Sequence, residues 1–151
     1  MTVEHPFNKI VEGIGVSDIR QFDAEVSSIP GIIKLTLGEP NFDTPEHIKE
    51  AAIQAIKDNH SHYTPNSGIP ELRQAAAEYY NKKFNFNYTA DQVITTIGAT
   101  EGINASLQAI LNPGDTVIVP TPVFPLYLPI TLVNQGNFIT VDTSNDGFVL
   151  T

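Results

Sequence analysis

The sequence predicts an α/β fold in which helices flank a largely parallel sheet. Short apolar runs alternate with longer runs of helical periodicity, which is typical of parallel strands joined by crossover helices. Residues 116–119 are a continuous apolar run, as expected for a strand buried on both faces. Residues 93–97 form another β-rich run that leads through small residues into a helical pattern. With residues 138–141, these runs predict a sheet of about three strands.

The lead-in at residues 1–34 is predicted to contain short helical pieces. Gly13, Gly15 and the pair Pro30-Gly31 interrupt its apolar positions. These positions are too sparse for a separate core, so we expect the lead-in to lie on another domain or another subunit.

Two helices follow, and a proline marks the start of each. Thr44 is expected to cap the first helix, with Pro45 at the first helical position and Glu46 complementing the helix dipole. Pro70 opens the second helix, which is expected to end near Phe84.

The C-terminal half continues the alternation of helix and strand. Residues 112–115 end a third helix and turn the chain into the apolar strand, which residues 120–122 are expected to break. Residues 124–133 predict a fourth helix with a kink at Pro129, and residues 138–141 predict the last strand.

Composition narrows the class of protein. The length of 151 residues suits one domain, and 41% hydrophobic with 17% charged residues are globular values. A net charge of -9 argues against nucleic acid or an anionic membrane surface as a partner, because both attract clustered lysine and arginine. The chain has no cysteine, no apolar run near the roughly 20 residues of a membrane span and no secretory signal pattern. We therefore expect a cytoplasmic protein.

Residues 97–102 combine the end of a strand, a turn of small residues and a helix N-terminus, which together favour an anion site. Gly98 lets the backbone approach a ligand closely, and Thr100 can add a hydroxyl. There is no Walker lysine, and the glycine spacing is not that of a dinucleotide site. The pattern favours a small phosphorylated cofactor over a nucleotide, although an ordinary tight turn between strand and helix would have the same sequence.

Several spaced motifs occur in one order along the chain. They are residues 37–45 (LGEPNFDTP), Tyr63-Thr64 with Gly68, residues 70–73 (PELR), residues 98–101 (GATE), residues 112–115 (NPGD), and Pro122 with Phe124 and Tyr127. Together they resemble the first part of class I/II aminotransferases, which use pyridoxal 5′-phosphate, and the similarity runs over essentially the whole chain. Residues 17–23 and 120–127 are most similar to the aromatic-amino-acid and N-acetyl-diaminopimelate aminotransferases.

The resemblance implies the three-layer, mostly parallel α/β large domain of the type I fold, incomplete at the C-terminus. It assigns residues 1–42 to the N-terminal arm and the start of a small domain, and residues 43–151 to the first part of the large cofactor-binding domain. It also implies a homodimer that moves an amino group from an amino acid to a 2-oxo acid, with aromatic amino acids as the suggested substrates.

The resemblance also implies which residues bind the cofactor. Gly98, Ala99 and Thr100 match the site of the cofactor phosphate, with the backbone amides of Ala99 and Thr100 as donors. Phe124 matches the aromatic residue that stacks on the pyridine ring, although its position would equally suit a core residue.

Two further residues are implied at the site. Tyr63 matches a tyrosine that crosses the dimer interface to the phosphate bound in the neighbouring subunit. Gly38 matches a residue whose backbone lies beside the substrate carboxylate. Each also has a plain interpretation, Tyr63 as a surface tyrosine and Gly38 as a turn glycine.

No catalytic residue is expected in this chain. The family uses a Schiff-base lysine, an acid opposite the pyridine nitrogen and an arginine for the substrate carboxylate, and all three lie beyond the matched region. None of the chain's lysines stands in the family's Schiff-base context: Lys9, Lys34, Lys49, Lys57, Lys82 and Lys83. The chain alone is therefore expected not to transaminate.

Other conspicuous residues have structural interpretations. Arg73 is expected to tie its helix to a loop. His60 and His62 lie two residues apart in a polar loop that has no nearby acid or cysteine as a further ligand. No metal site is therefore expected there.

Three alternatives remain open. A carbon–sulfur lyase or an amino-acid cyclase would use the same cofactor site, because the residues that decide the later chemistry are not among those matched. An aminotransferase-like domain of a transcription regulator would need an upstream helix-turn-helix pattern. The first stretch of about 40 residues does not show one. The third alternative is a non-catalytic fragment that only dimerises.

Overall fold

The computed structural model of the chain describes residues 7–15 and 17–151. The helices are α1 (Lys9–Glu12), α2 (Asp18–Val26), α3 (Glu46–Lys57), α4 (Pro70–Phe84), α5 (Gly98–Ile110) and α6 (Tyr127–Val133), and the strands are β1 (Thr116–Thr121) and β2 (Asn137–Asp142). Two compact units divide the chain. One contains residues up to 25 together with residues 96–151, and the other contains residues 26–95.

The unit that includes residues 96–151 contains the sheet. β1 and β2 pair in parallel, with Thr116 opposite Asn137 and Thr121 opposite Asp142. A parallel pair needs a crossover connection, because both strands run in the same direction. The crossover here contains α6, which also contacts α5, β2 and α1.

The core of this unit combines side chains of β1 and α6. Val119 and Ile130 are buried, and Thr131 is completely buried. The hydroxyl of Thr131 donates to the carbonyl of Tyr127 at 2.8 Å, which gives the buried hydroxyl the partner it needs. Gly136 allows close packing at this point, since a Cβ on it would lie 3.0 Å from the Cγ2 of Thr131.

Asp115 closes the turn between α5 and β1. Its carboxylate accepts the backbone N–H of Asn112 at 2.7 Å and the side-chain amide of Asn112 at 3.1 Å. These bonds, the backbone one most, lower the pKa of Asp115 below its ordinary value of 3.8. Because the folded pKa is the lower one, this stabilisation is present above pH 3.8 and is lost as the pH falls through the folded value.

The unit of residues 26–95 is organised around α4. The Nε of Arg73 donates to the carbonyl of Val93 at 2.8 Å, and a terminal nitrogen of Arg73 donates to the Oδ1 of Asp91 at 3.2 Å. These bonds confirm that Arg73 ties its helix to a loop. The loop itself is ordered by a capping box between Thr89 and Gln92 at a short 3-10 turn.

The proline signals locate the two helices of this unit closely. α4 begins at Pro70 and ends at Phe84, as predicted. α3 begins at Glu46, so Pro45 stands at the N-cap and not at the first helical position. The predicted capping role of Thr44 is wrong, because the extended ψ of 143° at Pro45 starts the helix one residue later.

α6 begins later than predicted, and this removes the conflict with Pro129. The helix starts at Tyr127, so Pro129 is its third residue, where a backbone N–H would have had no helical acceptor. The carbonyl that the proline ring would meet belongs to residue 125, outside the helix. The helix ends at Val133, as predicted.

The predicted strand at residues 93–97 is wrong. Within the described residues the sheet has two strands, and this segment makes single bonds in place of a ladder. The N–H of Thr95 donates to the carbonyl of Ser67, and the carbonyl of Val93 accepts from Arg73. Strand pairing depends on partners distant in the chain, which the local sequence does not specify.

β1 differs from its prediction in extent and burial. It continues through Pro120, because the carbonyl of Thr121 faces β2 and the proline nitrogen therefore faces away from the ladder. Ile118 is 64% exposed and Ile139, opposite it, is 51% exposed. The prediction that this strand is buried on both faces is therefore wrong for the described chain. Among the described residues, no element covers the face that carries Ile118 and Ile139.

The α/β class is confirmed by the parallel strands and their helical crossover. The short helical pieces predicted in the lead-in are α1 and α2. The domain division at residues 42 and 43 stays a prediction, and residues 1–6 and 16 of the predicted arm lie outside the described residues.

Replacing Arg73 by alanine is expected to lower the free energy of unfolding by about 1–3 kcal/mol, because the partly buried carbonyl of Val93 loses its donor. Asp91→Asn is the matched control. Its carboxylate is 96% exposed, so losing the ion pair is expected to cost less than about 1 kcal/mol. Urea unfolding followed by circular dichroism measures both variants. Equal losses would contradict the view that the carbonyl bond is the main tie.

Candidate functional site

Three local hydrogen bonds hold the turn that leads into α5. The N–H of Gly98 donates to the carbonyl of Thr96 at 2.9 Å, and the hydroxyl of Thr96 donates to the carbonyl of Gly98 at 3.0 Å. The carboxylate of Glu101 accepts the N–H of Ile97. Gly98 has a φ of +77°, which glycine adopts at little cost. The shape of the turn is therefore fixed by residues of the turn itself.

The amides of Ala99 and Thr100 make this turn suitable for an anion. Both residues are exposed and lie in the first turn of α5, where no preceding helical carbonyl is available to accept their N–H groups. The positive end of the helix dipole adds to the attraction. A Cβ placed on Gly98 would meet no atom within 4 Å, so that side of the turn is open. The donor set and the access suit a phosphate.

Phe124 lies in the same compact unit, in the segment that follows β1. Its carbonyl accepts the N–H of Tyr127 at 3.3 Å, where α6 begins. The two rings meet edge to face, with centroids 6.3 Å apart. Phe124 is 52% exposed, so the ring is supported by a neighbour and still presents surface to a flat ligand.

Tyr63 and Gly38 belong to the other compact unit. Tyr63 lies in the loop between α3 and α4, and its side chain is fully exposed. Gly38 lies in an exposed segment before α3, and a Cβ on it would meet nothing within 4 Å. The predicted site residues are thus divided, with Gly98, Ala99, Thr100 and Phe124 in one unit and Tyr63 and Gly38 in the other.

Thr96 and Glu101 hold the turn at Gly98, although the sequence analysis assigns neither of them a role there. The available signal for Glu101 is an acid early in a helix, which can reach back to the N-cap amide much as in a capping box. Thr96 has no comparable signal, because its bond to the carbonyl of Gly98 exists only when the turn has formed.

The described residues also bear on metal binding, membrane insertion and lysine chemistry. Across residues 7–15 and 17–151, no three histidine, cysteine, aspartate or glutamate side chains are grouped as a metal site would require. No helix in those ranges combines the length and apolar character needed to cross a membrane. All six lysines are exposed, so none occupies a shielded position like that of a cofactor-bound lysine.

Comparisons with known proteins identify the family. The model described as "Aminotransferase class I and II" matches residues 30–151. The probable N-acetyl-LL-diaminopimelate aminotransferase of Bacillus subtilis is 45% identical over 150 residues, 99% of this chain and 38% of that protein. The aspartate aminotransferase of Pyrococcus horikoshii is 46% identical over 111 residues, 74% of this chain and 28% of that protein. The structure of Thermus thermophilus aspartate aminotransferase with maleate has a TM-score of 0.91 at 34% identity, covering 97% of this chain and 40% of that one.

The structural match confirms the predicted α/β fold of the type I class. The chain belongs to the class I and II aminotransferases. It spans 38% of the length of the Bacillus subtilis relative and corresponds to the N-terminal part of these enzymes.

Replacing Gly98 by alanine is expected to lower the free energy of unfolding by about 1–2 kcal/mol, because a side chain is strained at a φ of +77°. The matched control is Gly38→Ala. Gly38 has no positive φ and has open space where a Cβ would lie, so its loss is expected to stay within about 0.5 kcal/mol. Calorimetric unfolding compares the two variants. A loss at Gly38 as large as at Gly98 would contradict the left-handed turn as the cause.

Proposed function

We propose that the chain is the N-terminal part of a pyridoxal-phosphate-dependent aminotransferase that transfers an amino group from an amino acid to a 2-oxo acid. The observation that carries the proposal is the open turn at Gly98, where the exposed residues Ala99 and Thr100 lie in the first turn of a helix and their amides have no preceding helical carbonyl as acceptor. In a chain of net charge -9, such backbone donors are what a phosphate needs. The names of the similar proteins support amino transfer as the reaction.

The described residues fit pyridoxal 5′-phosphate. When bound, this cofactor supplies an aromatic ring that withdraws electrons from the α-carbon of the substrate. Gly98, Ala99 and Thr100 would hold its phosphate through backbone N–H groups. Phe124 would pack on the ring and exclude water from that face, for which its half-exposed side chain is suited.

Tyr63 supports the proposal of a homodimer. Its fully exposed side chain makes little contact with its own chain and is free to donate its hydroxyl proton to a phosphate held by a neighbouring subunit. Gly38, in the same compact unit, would place its backbone beside the substrate carboxylate, where the exposed segment leaves room.

The remaining catalytic groups are proposed to lie outside this chain. Its six lysines are exposed, and none lies in a shielded environment of the kind that activates a nucleophilic lysine. The Schiff-base lysine, the acid facing the pyridine nitrogen and the arginine for the substrate carboxylate would come from the further length that the relatives have. The chain alone is therefore proposed to be inactive.

The resemblance also guides the finer assignments. Aromatic amino acids are the proposed substrates, and N-acetyl-LL-diaminopimelate, named for the Bacillus subtilis relative, is the competing one. Residues 1–42 are proposed to form the arm and the start of a small domain, and residues 43–151 the first part of the large domain. The cytoplasm is the proposed location of the enzyme.

A protein that carries this chain and the remaining length of its relatives is expected to transfer amino nitrogen to 2-oxoglutarate in the presence of pyridoxal 5′-phosphate. The 151-residue chain is expected not to do so, because it has no shielded lysine. Nitrogen-15-labelled amino acids and mass spectrometry of the glutamate formed measure the transfer. In a second sample, the 151-residue chain is mixed with the cofactor and treated with borohydride, which would fix a Schiff base as a stable adduct. We expect no adduct at one specific lysine.

Two results would contradict the proposal. Release of a thiol together with a 2-oxo acid and ammonia from a sulfur-containing amino acid, without amino transfer, would identify a carbon–sulfur lyase. Labelled glutamate formed by the 151-residue chain would show that the groups required for catalysis are within it.

A further inference from the structure

We propose that Ser67, Gly68 and Thr95 form a junction that positions the loop carrying Tyr63 for its contact with the cofactor phosphate. The inference rests on the proposed function, because that function gives Tyr63 its role. Gly68 and Thr95 are positioning residues in this account, since they act through Tyr63 and touch neither cofactor nor substrate.

The first observation is a double hydrogen bond to one carbonyl. The backbone N–H of Thr95 donates to the carbonyl of Ser67 at 3.0 Å, and the hydroxyl of Thr95 donates to the same oxygen at 3.3 Å. Both residues are partly buried. Hydrogen bonds in such surroundings are less open to exchange with water than those on the surface, so the loop is held at Ser67.

The second observation is that only glycine fits beside this bond. Gly68 has a φ of +96°, which L side chains rarely adopt. A Cβ on Gly68 would overlap the hydroxyl oxygen of Thr95 and would lie 2.9 Å from its Cβ and 3.0 Å from its Cγ2. The N–H of Gly68 donates to the carbonyl of Pro65 at 2.9 Å, which closes the turn just before the junction. Any side chain at Gly68 must therefore move the loop or Thr95.

The third observation concerns which interactions determine the position of Tyr63. The start of its loop is fixed at the end of α3, where the N–H of His60 donates to the carbonyl of Ala55 at 3.0 Å. The end of the loop is fixed at the junction. Tyr63 lies between these points with a fully exposed side chain, so packing of its ring does not determine its position. The backbone held at the two ends must do so.

The junction has a distinctive consequence in the proposed dimer. Tyr63 would serve the cofactor of the neighbouring subunit, while the turn at Gly98 serves the cofactor of its own subunit. A defect at Gly68 should therefore weaken the partner's site and spare its own. A substitution that only destabilised the fold of its own subunit would weaken that subunit's own site, or would not distinguish the two sites.

The experiment uses the dimeric holoenzyme and compares Gly68→Ala with Gly31→Ala. Gly31 has a φ of +76° and nothing within 4 Å of a built Cβ, so it shares the backbone strain without the collision. We expect the dissociation constant of pyridoxal 5′-phosphate to rise about tenfold or more in Gly68→Ala and to change little in Gly31→Ala, because displacements of about 1 Å at a site are costly. Similar values for the two variants would overturn the proposal.

A second variant tests the collision directly. Adding Thr95→Ala to Gly68→Ala removes the hydroxyl and methyl groups that the new Cβ would meet, so cofactor affinity is expected to recover in part. The same addition to Gly31→Ala is expected not to raise the affinity, because that variant has no collision to relieve. Where Gly68→Ala yields no folded protein, Thr95→Ala alone is compared with the wild type, because it removes the hydroxyl bond to the carbonyl of Ser67. Weaker binding of pyridoxal 5′-phosphate is expected, and unchanged affinity would overturn the proposal.

Hybrid dimers separate the junction from a general loss of structure. When Gly68→Ala and Tyr63→Phe are in the same subunit with a wild-type partner, one tight cofactor site is expected per dimer. When they are in opposite subunits, none is expected. The reversed pattern, one tight site only in the second arrangement, would show that Gly68 acts on its own subunit's site and would overturn the proposal.

The failure of the proposed function is recognised separately. If Tyr63→Phe in both subunits leaves the affinity for pyridoxal 5′-phosphate unchanged, the role of Tyr63 is wrong and the proposed cross-subunit site fails. If Tyr63→Phe weakens binding and Gly68→Ala matches its control, the junction alone fails.

Discussion

The left-handed backbone at Gly98 is the constraint on which the proposed site depends. A φ of +77° at this residue turns the chain sharply enough for α5 to begin with exposed amides at Ala99 and Thr100. Thr96 and Glu101 hold the turn from either side. Because these bonds are made within the turn, the proposed anion site would need little rearrangement to bind a ligand, which would keep the entropic cost of binding low.

The segment at residues 93–97 is followed along the chain by the turn at Gly98, and it also bonds to Arg73 and Ser67. In one compact unit, Arg73 bonds the carbonyl of Val93 and Ser67 accepts from Thr95. In the other, the segment continues into the turn at Gly98. The apolar character of the segment predicts a strand, but in the described chain side-chain and single backbone bonds define it. The same segment thus anchors the loop of Tyr63 and leads to the proposed phosphate site.

Features set by neighbouring residues could be predicted from the sequence, and features set by distant residues could not. Pro70 marks the start of α4 correctly, because a proline at a first helical position is a local effect. The glycine turn and the amides that follow Gly98 are local in the same sense. The exposure of Ile118 depends instead on what covers the sheet, and the pairing of Thr95 with Ser67 joins residues far apart in sequence. The role of Tyr63 rests on resemblance alone, because a contact across subunits leaves no local pattern.

We have proposed that this chain is the first part of a longer enzyme, whose further residues would complete a site around the Gly98 turn. The most direct test is the intact mass of the protein carrying this sequence, measured in a lysate of its source. A mass well above the 16.5 kDa of this chain is expected, with the catalytic lysine in the additional length. A mass of 16.5 kDa as the form that the organism makes would contradict it, because the turn would then lack the groups needed for amino transfer.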